Sequence, residues 1–238
     1  MKQKRNPGTD VIAEIADRTG LLFDQAFSET KYLAQLCANI SSPVIRNNLA
    51  LELRHFSGLR AEVVRCLSKV DPLVFGIGVV LDAEVIPTES FSLFWIERDA
   101  EGVIRDGLTW SYPWRGDFYE YSRCDWMNLP RTLRKEVVVG PYIDCDDYIF
   151  TLAQPIFVKD FFLGVASADI RLDDYERILA PQLSIVSGNC AVVNAEGAVV
   201  VSNSVQYPVG ARLDTKGLKS ADCGNTGWRV VETSTNRR

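Results

Sequence analysis

The sequence predicts an α+β fold in which a long N-terminal helix packs on an antiparallel sheet, with a smaller, truncated second sheet unit after it. Three observations carry this expectation. Helical spacing dominates before residue 70, and β-rich runs dominate after residue 74. Short turns join most of those runs, as in a meander. An Ala-Glu-Gly turn occurs twice, at 100–102 and 195–197, so a hairpin is echoed late in the chain. Helices first and strands afterwards oppose a doubly wound parallel sheet.

The first helix is expected from about Thr9 to Ile40, where no proline interrupts. Ile12, Ile15, Thr19, Leu22, Ala26, Glu29, Leu33, Leu36 and Ile40 recur every three or four residues and form a heptad-like seam. That stripe suits a helix lying along its own domain and equally one pairing with a second copy. Ser42-Pro43 then predicts a fresh helix start, with Ile45, Leu49, Leu53, Phe56, Val63 and Leu67 on its apolar side. VFGIGVVL, SFSLFWIE and VIRDGLTW read as strands, the last two joined by a turn at Arg98–Gly102. Asp117–Arg134 reads as a loop and a short helix ending around Pro130. EVVVGPYID, DYIFTLAQPIFV and FFLGVASADI follow as strands, and LDDYERILAPQL as a helix stopped by Pro181. CAVVNAEGAVVVSN and GWRVVET close the chain as strands. The expected division is a helical segment at 1–70, a ligand-binding sheet domain at 71–182 and a small second unit at 183–238.

Composition removes several functions. The chain has 238 residues, 47% hydrophobic and 24% charged, with a net charge of -5. Such a chain can bury a core and is not mainly disordered. Its acidic balance opposes a nucleic-acid footprint. The longest uncharged run, Ile178–Ala195, contains Pro181, Gln182, Ser184 and Asn189 and is too polar to span a membrane. The basic start lacks an apolar stretch of the secretory kind, so a cytoplasmic location is expected. Six cysteines are scattered with no CxxC pair, which reads as reduced packing thiols rather than a zinc or redox site. The only histidine, His55, has no catalytic partner nearby in sequence. No phosphate-binding glycine loop or nucleophile elbow occurs, and no cofactor is expected.

The unusual stretch lies between residues 110 and 175, where aromatics such as Tyr119, Tyr121, Trp126 and Tyr142 intermix with acids such as Asp144, Asp146 and Asp169. In an extended YIDCDDY, Tyr142, Asp144 and Asp146 share one face. Asp169 ends an apolar strand on the face of Leu163, Val165 and Ser167, where a carboxylate is costly unless a cation or donors meet it. Carboxylates beside rings suit an ammonium group, through charge-assisted hydrogen bonds and cation–π attraction. Other readings of the same residues are acids that decorate turns, a calcium site at Asp144, Asp146 and Asp147, and an enzyme using Asp144 and Asp169 for proton transfer.

YSRCDWMNLP, GPYIDCDDYIFTLAQPI and FFLGVASADIRLDDYERIL, in that order, resemble the Cache sensor domains of bacterial receptors, over roughly residues 10–205. The resemblance implies a PAS-like antiparallel sheet behind a long helix, with a pocket for small ligands. It places Trp126 on the family's Arg-x-Trp element, Tyr142 and Asp144 on its Tyr-x-Asp, Asp169 on its strand-end Asp, and Tyr119 on an upstream tyrosine. Tyr121 and Arg123 complete the candidate ligand-binding set. In the family the acids hold a ligand amine, and the Arg two before the Trp holds a carboxylate. Here that place is Cys124, and Met127 stands where a second aromatic is usual, so the ligand shifts toward a simple amine or polyamine. The implied function is a non-enzymatic sensor for an amine, polyamine or amino acid. A free-standing homodimer is expected, paired through the first helix and reporting to a partner protein, with no membrane span. A ligand-free dimerisation adaptor is the remaining alternative.

Overall fold

The computed structural model describes residues 7–86, 92–99, 101–106, 121–144 and 147–233. Helix α1 (Pro7–Arg46) is followed by a 3-10 turn at Leu53–Phe56 and by α2 (Leu59–Leu67). Strands β1 (Val74–Leu81), β2 (Ser92–Arg98) and β3 (Ile104–Asp106) come next. A 3-10 turn at Tyr121–Arg123 leads into α3 (Asp125–Leu133). Strands β4 (Val137–Asp144), β5 (Asp147–Val158) and β6 (Phe161–Arg171) follow, then α4 (Leu172–Ile185). Strands β7 (Asn189–Val193), β8 (Val199–Ser202), β9 (Lys219–Asp222) and β10 (Arg229–Thr233) end the chain.

Two sheets result. The larger has the order β3-β2-β1-β6-β5-β4, and the smaller β8-β7-β10-β9. The register shown for β1 with β2 and β6, and for β7 with β8 and β10, is antiparallel. The meander β4-β5-β6 and the late hairpin were both expected. β9 was not, because Lys-Ser-Ala-Asp has no apolar face and pairs only as an edge strand.

Contacts divide the chain into two compact units. The small-sheet unit takes Met1–Asp24, Gly140–Ile149 and Arg171–Arg238; the large-sheet unit takes Gln25–Val139 and Phe150–Ile170. In the first, Thr19 Oγ1 and the Tyr175 hydroxyl lie 2.8 Å apart, and Phe23 meets Trp228 edge-on at 5.3 Å. In the second, Phe56 packs on Phe94 at 5.7 Å, and Arg98 donates to the Leu67 carbonyl at the end of α2 and to the Val70 carbonyl beyond it. The α1 seam is largely consumed within the chain, since Ile12, Ile15, Thr19, Leu22, Ala26 and Leu33 are buried.

Three expected helix ends are corrected. Pro43 does not restart a helix but lies inside α1, while Pro130 and Pro181 lie inside α3 and α4. Each sits within the last turn or so, where only one intrahelical bond is lost and burial of the helix face outweighs it. The helix expected through Gly58 is instead a 3-10 turn followed by α2. There the Glu52 amide donates to His55 Nδ1 at 3.0 Å, which gives the lone histidine a capping role.

Candidate functional site

The site begins with two residues that have no side chain. Gly76 and Gly78 alternate along β1, so both face one side of the large sheet. The register sets Gly76 between Glu97 and Asp169, and Gly78 between Trp95 and Ser167. Directly opposed residues share a face. That face therefore carries Glu97 and Trp95 on β2, the bare backbone of β1, and Ser167 and Asp169 on β6. The Trp95 ring lies over the bare stretch: a Cβ at Gly76 would stand 2.7 Å from Trp95 Cζ2. Its Nε1 donates to Glu97 Oε1 at 2.8 Å. Phe94 and Arg98 point to the opposite side, toward the 3-10 turn and the end of α2.

Asp169 is 8% exposed and Thr151 is 2% exposed. Thr151 Oγ1 donates to Asp169 Oδ1 at 2.6 Å, a short bond of the kind made to an ionised acceptor. A carboxylate buried in a sheet face is thus met by a hydroxyl supplied from the next strand.

In the same unit, the segment before and within α3 is pinned to the end of β1. The Tyr121 hydroxyl donates to the Leu81 carbonyl at 3.1 Å. Burial, and secondarily the Asp82 carboxylate, pushes that phenol up to about 12. Arg131 of α3 pairs with buried Asp82, whose Oδ1 also accepts from the Glu84 amide at 3.2 Å. The Tyr121 and Trp126 rings stack at 6.4 Å with planes 9° apart. Trp126 Nε1 is buried without a hydrogen-bond partner, an unused donor.

The remaining candidates fall as follows. Arg123 is exposed on the 3-10 turn, whereas Tyr121 on the same turn is buried. Tyr142 and Asp144 are half-buried on β4 and flank Ile143, which is 75% exposed, so the two share a face as expected. They belong to the Gly140–Ile149 stretch of the small-sheet unit. Tyr119 and Asp146 lie outside the described residues. Asp147 is engaged by Arg171 through two bonds of 3.1 and 3.2 Å, and Asp173 and Asp174 occupy the first turn of α4, where negative charge is favoured. Among the described residues, no group of three or more His, Cys, Asp or Glu is arranged to hold a metal ion.

Sequence reasoning missed Thr151, Trp95 and Glu97. Their roles depend on cross-strand register, and the available signal was only a polar residue inside each of two apolar runs.

No protein-family model matches the chain, and no curated protein does. Solved structures do. The extracellular domain of the putative histidine kinase mmHK1S-Z2 superposes with a TM-score of 0.64 at 12% identity, covering 94% of each chain. The ligand-binding domain of the Pseudomonas aeruginosa PAO1 amino acid chemoreceptor PctC, solved with GABA, gives 0.56 at 14% identity, covering 95% of this chain and 98% of that one. The ligand-binding domain of PctB from the same organism, solved with L-Arg, gives 0.54 at 14% identity, covering 93% and 91%. At these identities the likeness is one of fold, and the fold is that of Cache-type sensor domains.

Proposed function

We propose that this chain, built on the fold of Cache-type sensors, is a binding protein whose large-sheet unit recognises a small molecule bearing an amine. The buried Asp169 carboxylate carries the reading. Set in a sheet face beside glycine backbone and an indole ring, it offers a desolvated anion at which an ammonium gains most. In the same unit, buried Trp126 Nε1 offers an unused donor to an acceptor on any ligand that reaches it. An amino acid carries both an amine and an acceptor, whereas a bare polyamine in its charged form carries no acceptor. The GABA and L-Arg complexes of the two chemoreceptor domains support the same class.

Tyr142 and Asp144, in the small-sheet unit, form a separate candidate set through the Tyr-x-Asp motif, and Asp144→Asn tests them. We read the role as binding rather than catalysis, in keeping with the sensor domains that share the fold. A cytoplasmic location is proposed from Cys37, Cys66, Cys190 and Cys223, which are buried as free thiols. Cell fractionation tests it. Homodimerisation is proposed through the outward face of α1, because its seam is already buried within the chain. Light scattering tests that proposal.

The deciding experiment is calorimetric titration with the twenty amino acids, GABA, putrescine and spermidine. Wild type is expected to bind at least one amino acid, and Asp169→Ala and Asp169→Asn to lose it. Failure of wild type to bind any of them, or equal binding by both variants, overturns the reading.

A further inference from the structure

The two Ala-Glu-Gly turns have the same internal hydrogen bonding and differ in one atom. In the first, Asp99 Oδ1 accepts from the Glu101 and Val103 amides at 3.1 and 2.8 Å. In the second, Asn194 Oδ1 accepts from the Glu196 and Ala198 amides at 3.1 and 2.8 Å. Asp99 and Val103 exchange a backbone bond of 3.0 Å, Asn194 and Ala198 one of 2.9 Å. Gly102 and Gly197 hold φ of 78° and 76°, which a side chain would strain. A carboxylate therefore builds this turn where Arg105 pairs with its other oxygen. Asn194 offers in addition an amide nitrogen, and Nδ2 donates at 2.8 Å to the Gly140 carbonyl, 54 positions away. Asn194 is 8% exposed, so this bond is sheltered from water.

Gly140 opens the stretch that carries Tyr142 and Asp144. We infer that Asn194 is a positioning residue for that motif: its amide latches β4 at Gly140 to the β7–β8 turn and so fixes where Tyr142 and Asp144 stand. For its effect on ligand affinity the inference rests on the separate proposal that Tyr142 and Asp144 bind ligand through the Tyr-x-Asp motif, but not for the latch itself. Arg171, forked on Asp147, ties the far end of the same stretch. The segment is held at both ends by side chains of its own unit. Neither tie could be read from local sequence.

Asn194→Asp separates the two roles of the side chain. It keeps the acceptor that builds the turn, as Asp99 does, and removes the donor to Gly140. The protein is expected to fold and unfold cooperatively, with amide exchange at Tyr142 and Asp144 at least tenfold faster and exchange in β10 unchanged. Affinity for the tightest ligand of the amino-acid, GABA, putrescine and spermidine set is expected to fall at least fivefold. If Asn194→Asp fails to fold, Asn194→Ser keeps a short acceptor that cannot reach Gly140 and takes its place. Exchange at 142 and 144 equal to wild type overturns the latch. Faster exchange with undiminished affinity overturns its role in binding. If wild type binds nothing in the set, the amine-binding reading fails, and the exchange rates still decide the latch.

Discussion

Thr151 Oγ1 donates to Asp169 Oδ1 at 2.6 Å, with both residues buried on one face of the large sheet. The hydroxyl is a donor that offsets the desolvation of the carboxylate. Thr151→Val keeps the shape and removes the donor. It is expected to cost about 1.5–3 kcal/mol, the range for a hydrogen bond to a charged group. Urea unfolding checks it. A loss under about 0.5 kcal/mol would mean that other donors already satisfy Asp169.

The bare backbone of β1 makes a second expectation about the same face. A Cβ at Gly76 meets the Trp95 ring, which can slide; one at Gly78 meets the Phe94 carbonyl, which cannot. Gly76→Ala is expected to cost about 1–3 kcal/mol, as over-packing does, and to shift Trp95 fluorescence. Gly78→Ala is expected to cost more. Equal losses in thermal unfolding would show that the ring is as immovable as the backbone.

Much of this arrangement was legible in the sequence. Asp169 announced itself as a carboxylate inside an apolar run, and alternation placed Tyr142 and Asp144 on one face. What stayed hidden was pairing between distant strands: Thr151 with Asp169, Trp95 over Gly76, the Asn194 amide on Gly140. Local composition carries no register, so none of these could be read. The prolines failed for a different reason. Local preference ends a helix before proline, but packing of the apolar face overrode it at Pro43, Pro130 and Pro181.

Pro181 gives that conflict a measurable form. It is exposed within α4, and its ring denies the Arg177 carbonyl an intrahelical donor. Pro181→Ala restores the donor, offset in part by the greater freedom of the unfolded chain. A net gain of about 1 kcal/mol is expected from urea unfolding. A destabilised variant would show that the proline shapes the end of α4 rather than being tolerated there.

The buried thiols and Tyr121 make the fold sensitive to alkali. Burial pushes Cys37, Cys66, Cys190 and Cys223 from an ordinary value of 9.0 up to about 12, with a hydrogen bond to Glu29 adding to the effect at Cys66. Tyr121 moves from 10.0 to about 12, first through burial. For each group the folded value lies above the unfolded one, so the folded chain keeps protons that the unfolded chain has released. Stability is therefore full below pH 9 and falls as pH rises from about 9 toward 12. Urea midpoints taken across that range are expected to decline steadily. The same burial predicts the order of alkylation at pH 8: Cys124, half-buried, reacts with iodoacetamide before the four buried thiols, which react only as the chain unfolds. Early labelling of Cys37 or Cys223 by mass spectrometry would show that the core opens where the structure holds it closed.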